Sequence, residues 1–198
     1  MNDRRRALLA GGGFPVNYIF KQGLGFRKDI EYAFTSLSPN YCNVTKDSIY
    51  LEGWYGGSSS DVASAVIYIG EKIEYNSKGQ LLKNAIPTNN FKKIYFHFNV
   101  VDSNNTRAAF INLINCDKLP NGYIVREQET GTSYKPTSTN ASPYYYSANR
   151  VHNLIGVTTA NGEYTISLDI SAINETMISL WSGNFSGKKL TVYDIWLE

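Results

Sequence analysis

The sequence predicts an all-β fold, two antiparallel sheets packed as a sandwich, and three observations lead there. Short β-like runs recur from residue 26 onward, separated by turn residues. No long stretch keeps a 3.6-residue apolar period. Residues 188–198 read KKLTVYDIWLE, an alternating run at the end of the sequence. A strand in that position must insert between, or pair with, strands laid down earlier, so it is expected to close the sandwich. Val192, Ile195 and Leu197, beside Tyr193 and Trp196, break strict alternation. That break predicts either cover on both faces or a β-bulge.

The elements follow in order. Residues 1–25 differ from the rest: Arg4, Arg5 and Arg6 form a basic foot, Gly11, Gly12 and Gly13 a hinge, and Tyr18, Ile19 and Phe20 a set of apolar anchors. An extended N-terminal arm that docks on a partner through Arg4, Arg5, Arg6, Tyr18 and Phe20 is the expectation. Residues 26–198 then form one sandwich domain. A helix is allowed over 28–37, where Ile30, Ala33, Phe34 and Leu37 share one face and Pro39 would stop it. Strands are expected at 48–54, 63–69, 72–75, 92–101, 108–114, 123–127, 154–157, 164–170, 177–181 and 189–197. Gly, Asn, Ser and Asp clusters punctuate them, among them residues 56–60, 76–79, 102–105 and 161–162.

The clearest strand is KKIYFHFNV, with Ile94, Phe96 and Phe98 on one face and Lys93, Tyr95, His97 and Asn99 on the other. YTISLDI repeats the pattern: Tyr164, Ile166, Leu168 and Ile170 oppose Thr165, Ser167 and Asp169. The two strands are expected to line one interior. Residues 128–149 hold Pro136, Pro143 and three consecutive tyrosines, and read as a long loop of the kind that carries binding.

Composition narrows the function classes. At 198 residues the chain can bury a full core, and charged residues make up 18% of it, below the ~25% usual for soluble domains. A formal net charge of +2 falls short of the dense basic field that phosphate binding needs, so no nucleic-acid partner is expected. No apolar stretch approaches the ~20 residues that cross a bilayer, so no membrane partner is expected either. The apolar part of the basic opening, residues 7–10, is too short for a signal peptide. Cys42 and Cys116 lie far apart and are expected as half-buried thiols rather than as a disulfide framework.

Catalysis finds no foothold. His97 and His152 are the only histidines and neither has metal-ligand spacing; no Gly-x-Ser-x-Gly elbow or phosphate-cradling glycine loop occurs. His97, on the polar side of its strand, reads as a surface or cross-strand hydrogen-bonding residue. Glu52, Asp61, Glu71, Glu74, Asp169 and Asp194 are scattered over turns and outward strand positions, where a glycosidase would need two converging acids. No enzyme, no cofactor and no metal site are expected.

Aromatics are the positive signal. Rigid Trp and Tyr faces bury apolar sugar surface at small entropic cost while Asn, Gln and Asp bond the hydroxyls. Trp54, Tyr55, Tyr134, Tyr144, Tyr145, Tyr146 and Trp181 stand beside Gly, Ser and Asn and are the expected ligand-binding residues.

The Arg-rich start MNDRRRALLAGGG, the segment NYIFKQG, the polar β body and the ending YTISLDIS with KKLTVYDIWLE together resemble structural proteins of tailed bacteriophages, especially those of phages and prophages of gut bacteria. The resemblance implies a jelly-roll or carbohydrate-binding-module-like sandwich in a repeated, non-enzymatic virion part: tail, baseplate or head appendage. Its partners would be other virion subunits, including copies of itself, and a cell-surface glycan, with assembly in the bacterial cytoplasm. In carbohydrate-binding sandwiches an acid near the last strand often helps hold a structural calcium; Asp194 occupies that place, as one acid without a visible ligand set. The other reading is a free-standing bacterial carbohydrate-binding or adhesion module.

Overall fold

The computed structural model describes residues 15–34, 42–52, 54–55, 62–63, 65–72, 74, 84–102, 109–118, 150–157, 161–182 and 188–198. They form two large antiparallel sheets and a small two-stranded one.

Sheet A is built around β15 (Lys188–Leu197). On one side β15 pairs along its length with β10 (Lys93–Asp102), which in turn pairs with β13 (Gly162–Asp169). On its other side β15 takes two partners in tandem. Residues 194–196 pair with β1 (Tyr18–Lys21) and residues 189–192 with β5 (Ile49–Glu52). Strands β2 (Gly25–Phe26) and β4 (Cys42–Val44) extend those two partners. β15 therefore lies inside the sheet, with partners on both sides.

Sheet B runs β12 (Arg150–Val157), β11 (Ala109–Asn115), β14 (Glu175–Ser182), β8 (Ala65–Gly70), β3 (Glu31–Phe34), with β9 (Ile86–Pro87) on the start of β14. β6 (Trp54–Tyr55) and β7 (Val62–Ala63) make the small sheet.

One core fills the space between the sheets. Ile94, Phe96, Phe98 and Val100 of β10 and Leu190, Val192, Ile195 and Leu197 of β15 share it with Ile67 and Ile69 of β8, Ile111 and Leu113 of β11, and Ile178 and Leu180 of β14. The period-2 reading of KKIYFHFNV and YTISLDI fits this, since Phe96 faces Ile166 and Ile94 faces Leu168 across the β10–β13 ladder. In β15 the inward sequence Val192, Ile195, Leu197 skips two residues once. The ladder shows why: Phe98 pairs with Val192 and His97 with Asp194, which leaves Tyr193 as the extra residue of a β-bulge.

Several expectations are corrected. The stretch allowed as a helix over 28–37 instead enters a strand at Glu31, with the Ile30 N–H closing a turn onto the Arg27 carbonyl; β3 then pairs with β8 from Glu31↔Gly70 to Phe34↔Ile67. Residues 15–25, assigned to a separate arm, belong to the sandwich. Phe20 is fully buried in the core, and Ile19 beside it, so Phe20 anchors its own sheet rather than presenting itself to a partner. Cys42 and Cys116 are buried more deeply than half, and the Cys116 thiol donates to the Ile114 carbonyl. Arg4, Arg5 and Arg6, like the expected strand at 123–127, lie outside the described residues.

Two glycines matter. In the β1–β2 turn the Leu24 N–H donates to the Lys21 carbonyl, and Gly23 at the third position has φ +83°, the left-handed conformation that a type II turn requires there. At the end of β8, a Cβ on Gly70 would collide with the backbone carbonyl of Asn84. Gly70→Ala is therefore expected to cost about 1–3 kcal/mol, the usual range for overpacking, as a lower urea midpoint at unchanged slope. An unchanged midpoint would show that the Asn84 segment yields freely.

A candidate ligand-binding face on the open sheet

The two sheets treat their outer faces differently. On β14, Thr176, Met177, Ile178, Ser179 and Leu180 are all buried, so both faces of the central strand of sheet B are covered there. Thr176 donates to the Ile114 carbonyl and keeps its buried hydroxyl satisfied. The outer face of sheet A is accessible instead: Glu163, Thr165, Ser167 and Asp169 of β13 are exposed, and Tyr95, His97 and Asn99 of β10 and Thr191, Tyr193 and Trp196 of β15 are half-exposed.

Three rings cross that face on adjacent strands. Tyr18 of β1 stacks on Trp196 of β15 with centroids 5.8 Å apart and planes 23° apart. Trp196 stacks on Tyr95 of β10 at 4.9 Å and 8°. Coplanar side-by-side rings would overlap at 4.9 Å, so these lie face over face in offset stacks. The strands impose this, because Tyr18↔Trp196 and Trp196↔Tyr95 are cross-strand partners. At one end of the row the Lys21 ammonium lies 4.1 Å from the Tyr18 centroid. At the other end the second face of Tyr95 turns to β13, where its register partner is Ser167, too short to cover a ring. Burial first, then a hydrogen bond to the Glu198 carboxylate, raises the Tyr95 phenol above its ordinary range.

A polar cluster adjoins the row. His97 Nδ1 lies 3.1 Å from Asp194 Oδ2, and His97 Nε2 lies 2.6 Å from Glu163 Oε1. The bulge brings Tyr193 to the same ring, centroids 5.2 Å apart. Asp194 Oδ1 also accepts the Gln22 N–H at 3.2 Å, tying the β1–β2 turn to the cluster. Burial pulls the His97 ring down, but the hydrogen bonds to Glu163 and Asp194 outweigh it and hold the ring above the ordinary imidazole range. A His value raised on folding contributes stability that is fully present below the unfolded value near ~6.5 and is lost as pH rises through the folded value. Because the two ring nitrogens point at carboxylates on opposite sides, the three groups do not converge on one metal position. Among the described residues no cluster of three or more His, Cys, Asp or Glu could hold a metal ion, and Asp194 serves His97 and Gln22.

No family model matches the chain, and no curated protein matches it. Among solved structures, the chain is similar to a mutant of a family 29 carbohydrate-binding module complexed with cellulohexaose (9% identity, TM-score 0.45, covering 92% of this chain and 93% of that one). It is similar also to a family 28 module specific for non-crystalline cellulose (13%, 0.42, covering 94% and 95%). A third is a cleaved adhesin domain of Lys-gingipain from Porphyromonas gingivalis W83 (10%, 0.45, covering 92% and 97%). Likeness at this level concerns the β architecture and assigns no site.

The residues expected to bind ligand are placed as follows. Trp54 and Tyr55 form β6, opposite Ala63 and Val62 in the small sheet, and Trp181 sits in β14 between Phe110 and Val66 in register. Tyr134, Tyr144, Tyr145 and Tyr146 lie outside the described residues. Tyr18, expected to dock the arm, belongs to the ring row. Tyr95 and Trp196 were missed as site residues. Their signal was present in the alternation itself: an aromatic on the polar side of a half-buried strand is one that the sheet displays.

Proposed function

We propose that the chain is a carbohydrate-binding or adhesion module that holds a glycan on the open face of sheet A. The observation that carries this is the Tyr18–Trp196–Tyr95 row, whose last ring is half-exposed beside the short polar side chains of β13. A pyranose presents apolar C–H groups on its face and hydroxyls around its rim. Tyr95 would take the face, while Thr165 and Ser167 on one side and Asn99 further along β10 offer donors and acceptors to the rim. Few ring contacts make such capture weak, about millimolar per site, and useful when several copies engage one surface.

Binding rather than catalysis is the reading the cluster supports, since both nitrogens of His97 are engaged by carboxylates. The virion role implied by the resemblance finds no support in the described face or in the neighbours above. It rests on the sequence ends alone.

Affinity electrophoresis against soluble neutral polysaccharides (hydroxyethylcellulose, xyloglucan, galactomannan, xylan) tests the proposal. At least one is expected to retard the protein, with Tyr95→Ala reducing retardation tenfold or more while the melting temperature falls by only a few degrees, the loss of one ring stack. Free migration through all of them, or retardation indifferent to Tyr95, would refute it.

A further inference from the structure

His97 makes two contacts that a neutral imidazole cannot make together. Ionised carboxylates only accept, and a neutral ring carries one N–H, so one contact would set lone pair against lone pair. Only the imidazolium donates to both. The two acceptors are held unequally: the Asp194 side chain is 18% exposed and is also bonded by Gln22, while that of Glu163 is 63% exposed on the strand that ends the sheet order. Glu163 pairs with Asn99, yet its carboxylate reaches back to the row of His97 and Thr165. That row is one same-face step, roughly 7 Å, from Tyr95. Among the described residues Tyr193 of β15 also adjoins the ring; Tyr95 lies one step along β10, and Lys21 of β1 is the register partner of Asp194.

We propose that His97 is a positioning residue of the glycan site: its imidazolium pins the Glu163 carboxylate one step along the face from the half-exposed Tyr95 ring, where the second carboxylate oxygen accepts a ligand hydroxyl, and capture weakens when the imidazolium loses its proton. The proposal rests on reading this face as the glycan site. On deprotonation the better-anchored Asp194 keeps the remaining N–H and Glu163 is released to solvent. The ligand must then immobilise that side chain itself, which lowers affinity roughly three- to tenfold.

The experiment measures equilibrium binding of the most strongly retarding polysaccharide of the panel between pH 5.5 and 9, for the wild type, His97→Gln and Glu163→Gln, with the His97 ring titrated in parallel by NMR. The wild type is expected to lose affinity three- to tenfold across the titration of His97. Both variants should bind at the wild type's high-pH level with flat profiles and should match the wild type's melting temperature at pH 9, where the His97 contribution is lost, and Glu163→Gln should lower the His97 midpoint. A flat wild-type profile, or an undiminished slope in His97→Gln, overturns the positioning role while Tyr95-dependent binding leaves the glycan reading standing. Absence of binding at every pH overturns both.

Discussion

Trp196→Ala is expected to weaken glycan capture at least tenfold, ~1.4 kcal/mol or more, and to destabilise the protein as well. The double effect follows from its position. Trp196 is the middle ring of three, so its removal breaks both stacks at once, and each aromatic pair contributes about 0.5–1.5 kcal/mol beyond its buried area. Without it Tyr95 loses the support on its covered side and no longer holds one fixed orientation over β13. A stability loss of about 1–3 kcal/mol is therefore expected. Trp196→Phe should restore most of the stability and part of the binding, because a smaller ring still bridges Tyr18 and Tyr95. Urea denaturation and equilibrium binding read the two effects separately. Binding by Trp196→Ala within twofold of the wild type would place the ligand elsewhere.

The second large effect is expected one residue along from the site. Phe96 is fully buried, and it stands in register between Ile195 on one side and Ile166 on the other. Phe96→Ala should cost about 3–5 kcal/mol, through lost burial and the cavity left behind. Against a total stability of about 5–15 kcal/mol that is a large fraction. Its neighbour Tyr95 projects from the opposite side of β10 and should show the reverse profile, little stability lost and much binding lost. The pair tests the side-chain alternation of β10 directly. Equal stability losses at 95 and 96 would contradict the register described above.

Long alternating segments were legible in the sequence because both ends of the argument, periodicity and punctuation, lie within ten residues. β10, β13, β14 and β15 were expected within two residues of where they lie, and the skipped alternation at Tyr193 was readable as a bulge. The strands that went unread are short. β1, β2, β3, β4 and β9 hold two to four residues each, too few to show a period. Their partners supply what they lack: β1 is held by β15 at the far end of the sequence, and β3 by β8. In the segment 28–37 the helical spacing of Ile30, Ala33 and Phe34 competed with that pairing and lost, since a few residues of helix gain little alone while an added strand completes a ladder. The site was hidden for a related reason. Aromatics were sought in loops, whereas the ring row is assembled from three strands whose register brings positions 18, 95 and 196 together.

The placement of β15 has a bearing on how the molecule assembles. Strands β1 and β2, and β4 and β5, can pair early as local hairpins, while β10 and β13 meet only across the residues between them, and these three pieces share no ladder until residues 188–197 arrive between them. Every ladder that joins those pieces therefore spans a long stretch of sequence, which places folding in the slow millisecond-to-second regime of all-β chains. During synthesis the newly made pieces would wait with open edges for their keystone, and a nascent chain stalled before residue 188 would be the form most exposed to aggregation.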